Sequence, residues 1–188
     1  MYHCNYQEDK MALLNIIQAD NPVLRKKAIK VNDFGKKFQT LVDDMIETML
    51  DAPGVGLAAP QVAVSKRLIV VRLPNESEEE LEEHGDQAGI VYAVVNPKII
   101  KSSKELVMGV EGCLSIPGFV GEVERPDMVV ITGQDRYGDK FRIKAKDWQA
   151  RVFQHEIDHL EGQLFTDIAE EIWQPQDVQG DVELAEDS

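Results

Sequence analysis

The stretch Asp147-Trp148-Gln149-Ala150-Arg151-Val152-Phe153-Gln154-His155-Glu156-Ile157-Asp158-His159-Leu160-Glu161-Gly162 decides what kind of fold this chain can have. At about 100° per residue, Trp148, Val152, His155 and His159 fall within about 60° of one another on a helical wheel. Phe153, Ile157 and Leu160 form a second apolar arc, with Gln149 and Glu156 between the two. Ala150, Arg151, Gln154, Asp158 and Glu161 fill the rest. More than half of the circumference wants burial, so the pattern predicts a central helix rather than a surface one. Asp147 is the expected N-cap and Gly162 the expected stop.

Two histidines on the inward face of such a helix need partners. Imidazoles at i and i+4 sit one turn apart and can bind one metal ion. Glu156 follows the first histidine directly, and its carboxylate can take a proton from a water that the metal activates. That is the physical content of a His-Glu-x-x-His segment. The bland alternative is a pair of core histidines that merely hydrogen-bond. A catalytic zinc-type site uses three protein ligands, so one more is required. Cys113, in Glu111-Gly112-Cys113-Leu114-Ser115-Ile116-Pro117, is the obvious candidate, because a thiolate suits a borderline-soft divalent ion. Its alternative is a buried structural cysteine.

Working outward, Leu13–Ile17 reads as a short strand, and Asn21-Pro22 as a turn into a short helix. Apolar residues at Phe34, Phe38, Leu41, Met45, Ile46 and Met49 have helical spacing, with Asp33 as a plausible N-cap and an end before Pro53-Gly54. Residues 54–61 read as loop or extended chain. Arg67–Leu73, Val91–Ile100 and Leu106–Val110 read as strands, and Met128–Gln134 with Lys140–Lys146 as a hairpin across Tyr137-Gly138-Asp139. Many strands beside two helices, without regular alternation, predict an α+β fold: mixed or antiparallel strands packed around a central, C-terminal, metal-binding helix.

The 188 residues suit one domain, and 43% hydrophobic content is enough for a sizeable core. The net charge of −14 argues against nucleic acid as a direct partner. That charge is uneven. Residues 76–86 hold seven acids and residues 167–188 eight, with no Lys or Arg in either; the remainder carries 19 acids against 20 bases. The expected organisation is therefore an N-terminal extension over 1–10, a catalytic domain over 11–170 with an acidic insert at 74–90, and an acidic tail over 171–188. Two cysteines, Cys4 and Cys113, make no disulfide framework. No stretch approaches the roughly 20 apolar residues of a membrane span, and the polar N-terminus has no signal-peptide core. The expected location is the cytoplasm, whether Met1 or Met11 is the natural start.

Three segments together match one family. Gly54-Val55-Gly56-Leu57-Ala58-Ala59-Pro60-Gln61, Glu111-Gly112-Cys113-Leu114-Ser115 and Gln154-His155-Glu156-Ile157-Asp158-His159 resemble, in order and spacing, the motifs of the peptide deformylases. The resemblance spans roughly residues 11–170. It implies a metal-dependent hydrolase in protein biosynthesis that removes the formyl group from the N-terminal formyl-methionine of new polypeptides and releases formate. By the motifs, Cys113, His155 and His159 would be metal ligands and Glu156 the general base and acid. Gln61, by its side-chain amide, and Leu114, by its backbone N–H, would hold the formyl oxygen. The peptide would lie extended against the backbone of Val55, Gly56 and Gly112, with Trp148 and Val152 walling a pocket for the methionine side chain. The family often uses Fe2+ in the cell, while Zn2+ or Ni2+ can occupy the same ligands. The chain departs from the family in its long acidic insert and its acidic tail. The tail does not look like the basic C-terminal helix by which some members dock on the ribosome.

Two other readings remain open from the residues alone. Another His-Glu-x-x-His hydrolase, such as a metallopeptidase, would need a third ligand other than Cys113. A metal-binding or adaptor protein without catalysis would have no use for Glu156 and Gln61.

Overall fold

The run Leu68-Ile69-Val70-Val71 is apolar without a break, and in the computed structural model of the chain all four side chains are fully buried. A strand reads this way when it is covered on both faces. The structure describes residues 12–52, 54–73 and 89–175. The N-terminal extension, Cys4, most of the acidic insert and the tail beyond residue 175 lie outside the described residues.

The elements are α1 (Lys36–Asp51), β1 (Gly56–Ala58), β2 (Leu68–Arg72), β3 (Val91–Ser102), β4 (Leu106–Cys113), β5 (Ile116–Pro126), β6 (Met128–Gln134), β7 (Lys140–Lys146), α2 (Asp147–Glu161) and β8 (Glu171–Trp173). A five-stranded sheet has the order β1-β2-β3-β6-β7, and a three-stranded sheet the order β4-β5-β8. All neighbours in both sheets pair antiparallel. β1 and β4 are thus the terminal strands of their sheets.

The alternation along β2 sorts two cores. Ile69 and Val71 face α2, packing with Phe153, Ile157 and Leu160. Leu68 and Val70 face α1, packing with Phe38, Val42, Met45 and Met49. The helix expected to be central is central: nine of its residues are buried. The α+β architecture with a C-terminal helix against antiparallel strands is the one the sequence implies.

Three local expectations change. Asp147 does not cap α2 from outside. Strand β7 ends at Lys146 and the helix begins at once, so Asp147 absorbs the turn with φ at 49°, while Lys146 holds the cap position without a side-chain bond. Asp33 accepts from the Gly35 N–H at 2.8 Å instead of capping α1, whose N-cap is Gly35. Leu13–Ile17 is not a strand, because its N–H groups go to scattered acceptors rather than one ladder: Ile17 N–H donates to the Gln61 carbonyl at 2.8 Å. Ala12 N–H donates to Asp44 Oδ1 at 2.8 Å and Leu14 N–H to Thr48 Oγ1 at 2.9 Å. The region 54–61, expected as loop or extended chain, is extended in β1 and then enters a 3-10 turn over Ala59–Val62. The end of α2 follows the sequence. Gly162 has φ at 80°, and a Cβ there would also stand 2.8 Å from the Arg25 carbonyl carbon, so glycine is required twice over.

Candidate active site

α2 presents His155 and His159 from one face, and β4 ends on Cys113 directly opposite. The three possible donor atoms lie within 4.8 Å of one another. Cys113 Sγ stands 3.3 Å from His159 Nε2. His155 is held by its other nitrogen: Nδ1 is 2.9 Å from Glu111 Oε2, which leaves Nε2 for a ligand. A carboxylate behind an imidazole fixes its tautomer and ring orientation in metal sites. Phe165 stacks on the same ring, with centroids 6.2 Å apart and planes at 25°.

Gln61 closes the site from the 3-10 turn. Its Oε1 accepts from the Ala58 N–H at 2.8 Å, which turns the amide nitrogen toward the ligands. Nε2 donates to Ser115 Oγ at 3.2 Å and to Cys113 Sγ at 3.5 Å. Glu156 is buried, 4% exposed, and its Oε2 has no partner. Glu156 lies against β1, where Gly56 leaves room for it.

These groups open on a cavity of about 390 Å³. The backbone segment Gly54–Gly56 lines one side of it and Val110–Leu114 the other, with Trp148 and Val152 also on the wall. Every residue singled out from the sequence lines this cavity except His159, which lies fully inside at 1% exposure.

The electrostatics favour a cation. Burial alone would lower the His155 pKa, but hydrogen bonds to Cys113 and Glu111, with the charges of Glu156 and Cys113, outweigh it and push the ring up to about 10. The field at that imidazole thus favours positive charge. His159, fully enclosed, is pushed the other way by burial and stays neutral, as a metal ligand must. Burial raises Glu156 to about 7, against the pull of His155 and with Glu111 and Asp158 adding to the rise. A carboxyl near neutrality can both take and give a proton. The soft thiolate, two imidazoles and supporting carboxylate fit a single divalent ion.

Two further residues matter here: Glu111, which stands in one of the sequence motifs without an assigned role, and Arg125, which no motif contains. Arg125 clamps Glu111 with two bonds, Nε to Oε1 at 2.8 Å and Nη2 to Oε2 at 2.9 Å, and reaches Asp158 with Nη1 at 2.5 Å. The signal for Glu111 was present. It stands two residues before Cys113, so strand alternation puts both on one face. Arg125 was illegible because strand β5 itself was not recognised.

Comparison with known proteins agrees with this geometry. A family model described as polypeptide deformylase matches residues 13–174. A peptide deformylase of Symbiobacterium thermophilum is 50% identical over 157 residues, covering 84% of this chain and 67% of its own length. One from Dehalococcoides mccartyi is 43% identical over 177 residues, covering 94% and 98%. Among solved structures, a peptide deformylase from Ehrlichia chaffeensis superposes with a TM-score of 0.77 at 39% identity, covering 84% of this chain and 88% of that one. A Met-Ala-Ser-bound peptide deformylase from Acinetobacter baumannii gives 0.75 at 35% identity, covering 84% and 99%.

Proposed function

The chain belongs to the peptide deformylase family, amidohydrolases that take the formyl group from N-terminal formyl-methionine, and from that premise we propose which of its residues carry the reaction. Cys113, His155 and His159 hold one divalent ion. When bound, that ion supplies Lewis acidity, which polarises a carbonyl and lowers the pKa of water to roughly 7.

Glu156 accepts the proton of the attacking water and delivers it to the departing amine. Its elevated pKa and its free Oε2 suit both transfers. Gln61 Nε2 and the backbone N–H of Leu114 donate to the oxygen that gains charge. Main-chain groups of Val55, Gly56 and Gly112 align the peptide in extended form, and Trp148 with Val152 borders the methionine side chain. The Acinetobacter baumannii relative bound to Met-Ala-Ser supports a short peptide as the occupant of this cleft.

We infer Fe2+ as the cellular ion, with Zn2+ and Ni2+ accepted by the same donors, and cytoplasmic nascent chains as the substrates. No helix among the described residues is long and apolar enough to cross a membrane. The observation that carries the reading is the convergence of Cys113, His155 and His159 within 4.8 Å beside a buried carboxylate and an amide donor.

The test is formate release from formyl-Met-Ala-Ser compared with cleavage of unformylated Met-Ala-Ser. Cutting of internal peptide bonds without formate release would overturn the reading. Glu156→Ala should keep its metal and lose turnover. Anaerobically purified protein should carry iron, with activity that decays in air.

A further inference from the structure

Arg151 leaves α2 one turn before His155 and crosses to the three-stranded sheet. Its Nη2 donates to the Val107 carbonyl at 2.8 Å, and its Nη1 to the Val123 carbonyl at 2.8 Å and to Glu111 Oε1 at 2.9 Å. The side chain is only 11% exposed, so its donors need these acceptors.

The seat exists because position 109 is glycine. A Cβ there would stand 2.7 Å from Arg151 Cζ and 2.8 Å from both Nε and Nη2. Gly109 is not among the glycines with positive φ, so the requirement is space, not backbone freedom.

The ligands come from two elements that are not covalently near. Cys113 ends β4, and His155 and His159 ride on α2. Arg151 belongs to α2, yet every bond given above goes to β4 or β5. Glu111, which orients His155, is gripped by Arg125 from β5 and by Arg151 from α2 itself.

We propose that Arg151, seated on Gly109, is a positioning residue that sets how β4 stands against α2. It thereby fixes the spacing of Cys113 from the two imidazoles and, through Glu111, the pose of His155. This rests on the reading of those three residues as metal ligands. The bond pattern needs a planar fork with several donors, which an ammonium cannot reproduce.

The experiment uses full-length protein loaded with Co2+, whose visible and thiolate charge-transfer bands report ligand geometry, together with Zn2+ affinity from chelator competition. Arg151→Met and Gly109→Ala should each shift the bands and weaken Zn2+ binding by about 10–100-fold, with kcat falling and KM held. Arg151→Lys should recover part of the loss. Met49→Ala, in the α1 core on the far face of the sheet, should lower the melting temperature without moving bands or affinity. If Arg151→Met does not fold, Gly109→Ala and Arg151→Lys decide the matter. Wild-type bands and affinity in the variants at positions 151 and 109 would overturn the proposal alone. Equal losses in Met49→Ala would overturn it too, by showing general loosening. Wild-type protein without a thiolate band would refute the ligand assignment and this proposal with it.

Discussion

Gly56 and Glu156 are in close contact: a Cβ at position 56 would clash with Glu156 Oε1 and stand 2.7 Å from its Cδ and 2.8 Å from its Cγ. The terminal strand of the large sheet therefore sets where the Glu156 carboxylate can be. Gly56→Ala must push either the strand or the carboxylate. A displacement of about 1 Å near reacting groups can cost on the order of 10²-fold in rate. Formate-release kinetics should show that drop in kcat/KM, while circular dichroism should show a retained fold.

Gln61 has its Oε1 tied to the Ala58 N–H and its Nε2 aimed at the ligand cluster, so its amide donor is already oriented before substrate arrives. Gln61→Ala should lower kcat by about 10²–10³-fold, the typical loss for one donor to a developing oxyanion. Gln61→Glu should be as poor, since it replaces the donor with an acceptor. Steady-state kinetics with formyl-Met-Ala-Ser reads both, and near-normal kcat in either would remove Gln61 from the oxyanion site.

Glu111 is 5% exposed and is held by Arg125 and Arg151. Removing one partner of a buried ion pair costs about 3–5 kcal/mol. Glu111→Gln, which keeps the shape and one acceptor, should sit at the low end of that range. It should also weaken metal binding by about 10–100-fold, because the carboxylate behind His155 is lost. Denaturant unfolding and chelator competition measure the two effects separately.

The same residue makes the fold sensitive to acid. Burial alone would raise its pKa, but hydrogen bonds from Arg125 and His155, with their charges, outweigh it and hold Glu111 at about 2. An unfolded glutamate titrates near about 4.3. A depressed folded value stabilises the native state above the unfolded pKa, and that contribution disappears as pH falls through the folded one. The difference corresponds to about 3 kcal/mol, lost between roughly pH 4.3 and pH 2. Urea midpoints of chelator-treated protein should fall across that window, and the Glu111→Gln protein should show a flatter dependence.

Much of the site was legible because its chemistry is local in sequence. His155, Glu156 and His159 share one helical turn, and 3.6-residue periodicity places them without tertiary information. The burial of α2 followed from the same wheel. What escaped depends on strand pairing. β5 contains Pro117, Gly118, Gly121 and Pro126, which mask its alternation. With β5 unseen, the register that sets Val107 opposite Arg125 could not be drawn. The three residues Glu171–Trp173 close that sheet as β8, yet their acidic surroundings read as tail. The Asp147 cap failed for a simpler reason: β7 runs into α2 with no loop between them, so Asp147 has no separate cap position to occupy.

Strands β1 and β4 each end their sheet, and both border the same cleft. On the proposed peptide alignment, such a gap between two unfinished sheets would be completed by any extended main chain, whatever its side chains. The clientele of an enzyme built this way would be set by what all newly started chains have in common at their first residue. Downstream sequence can then diversify across a whole proteome without the cleft having to change.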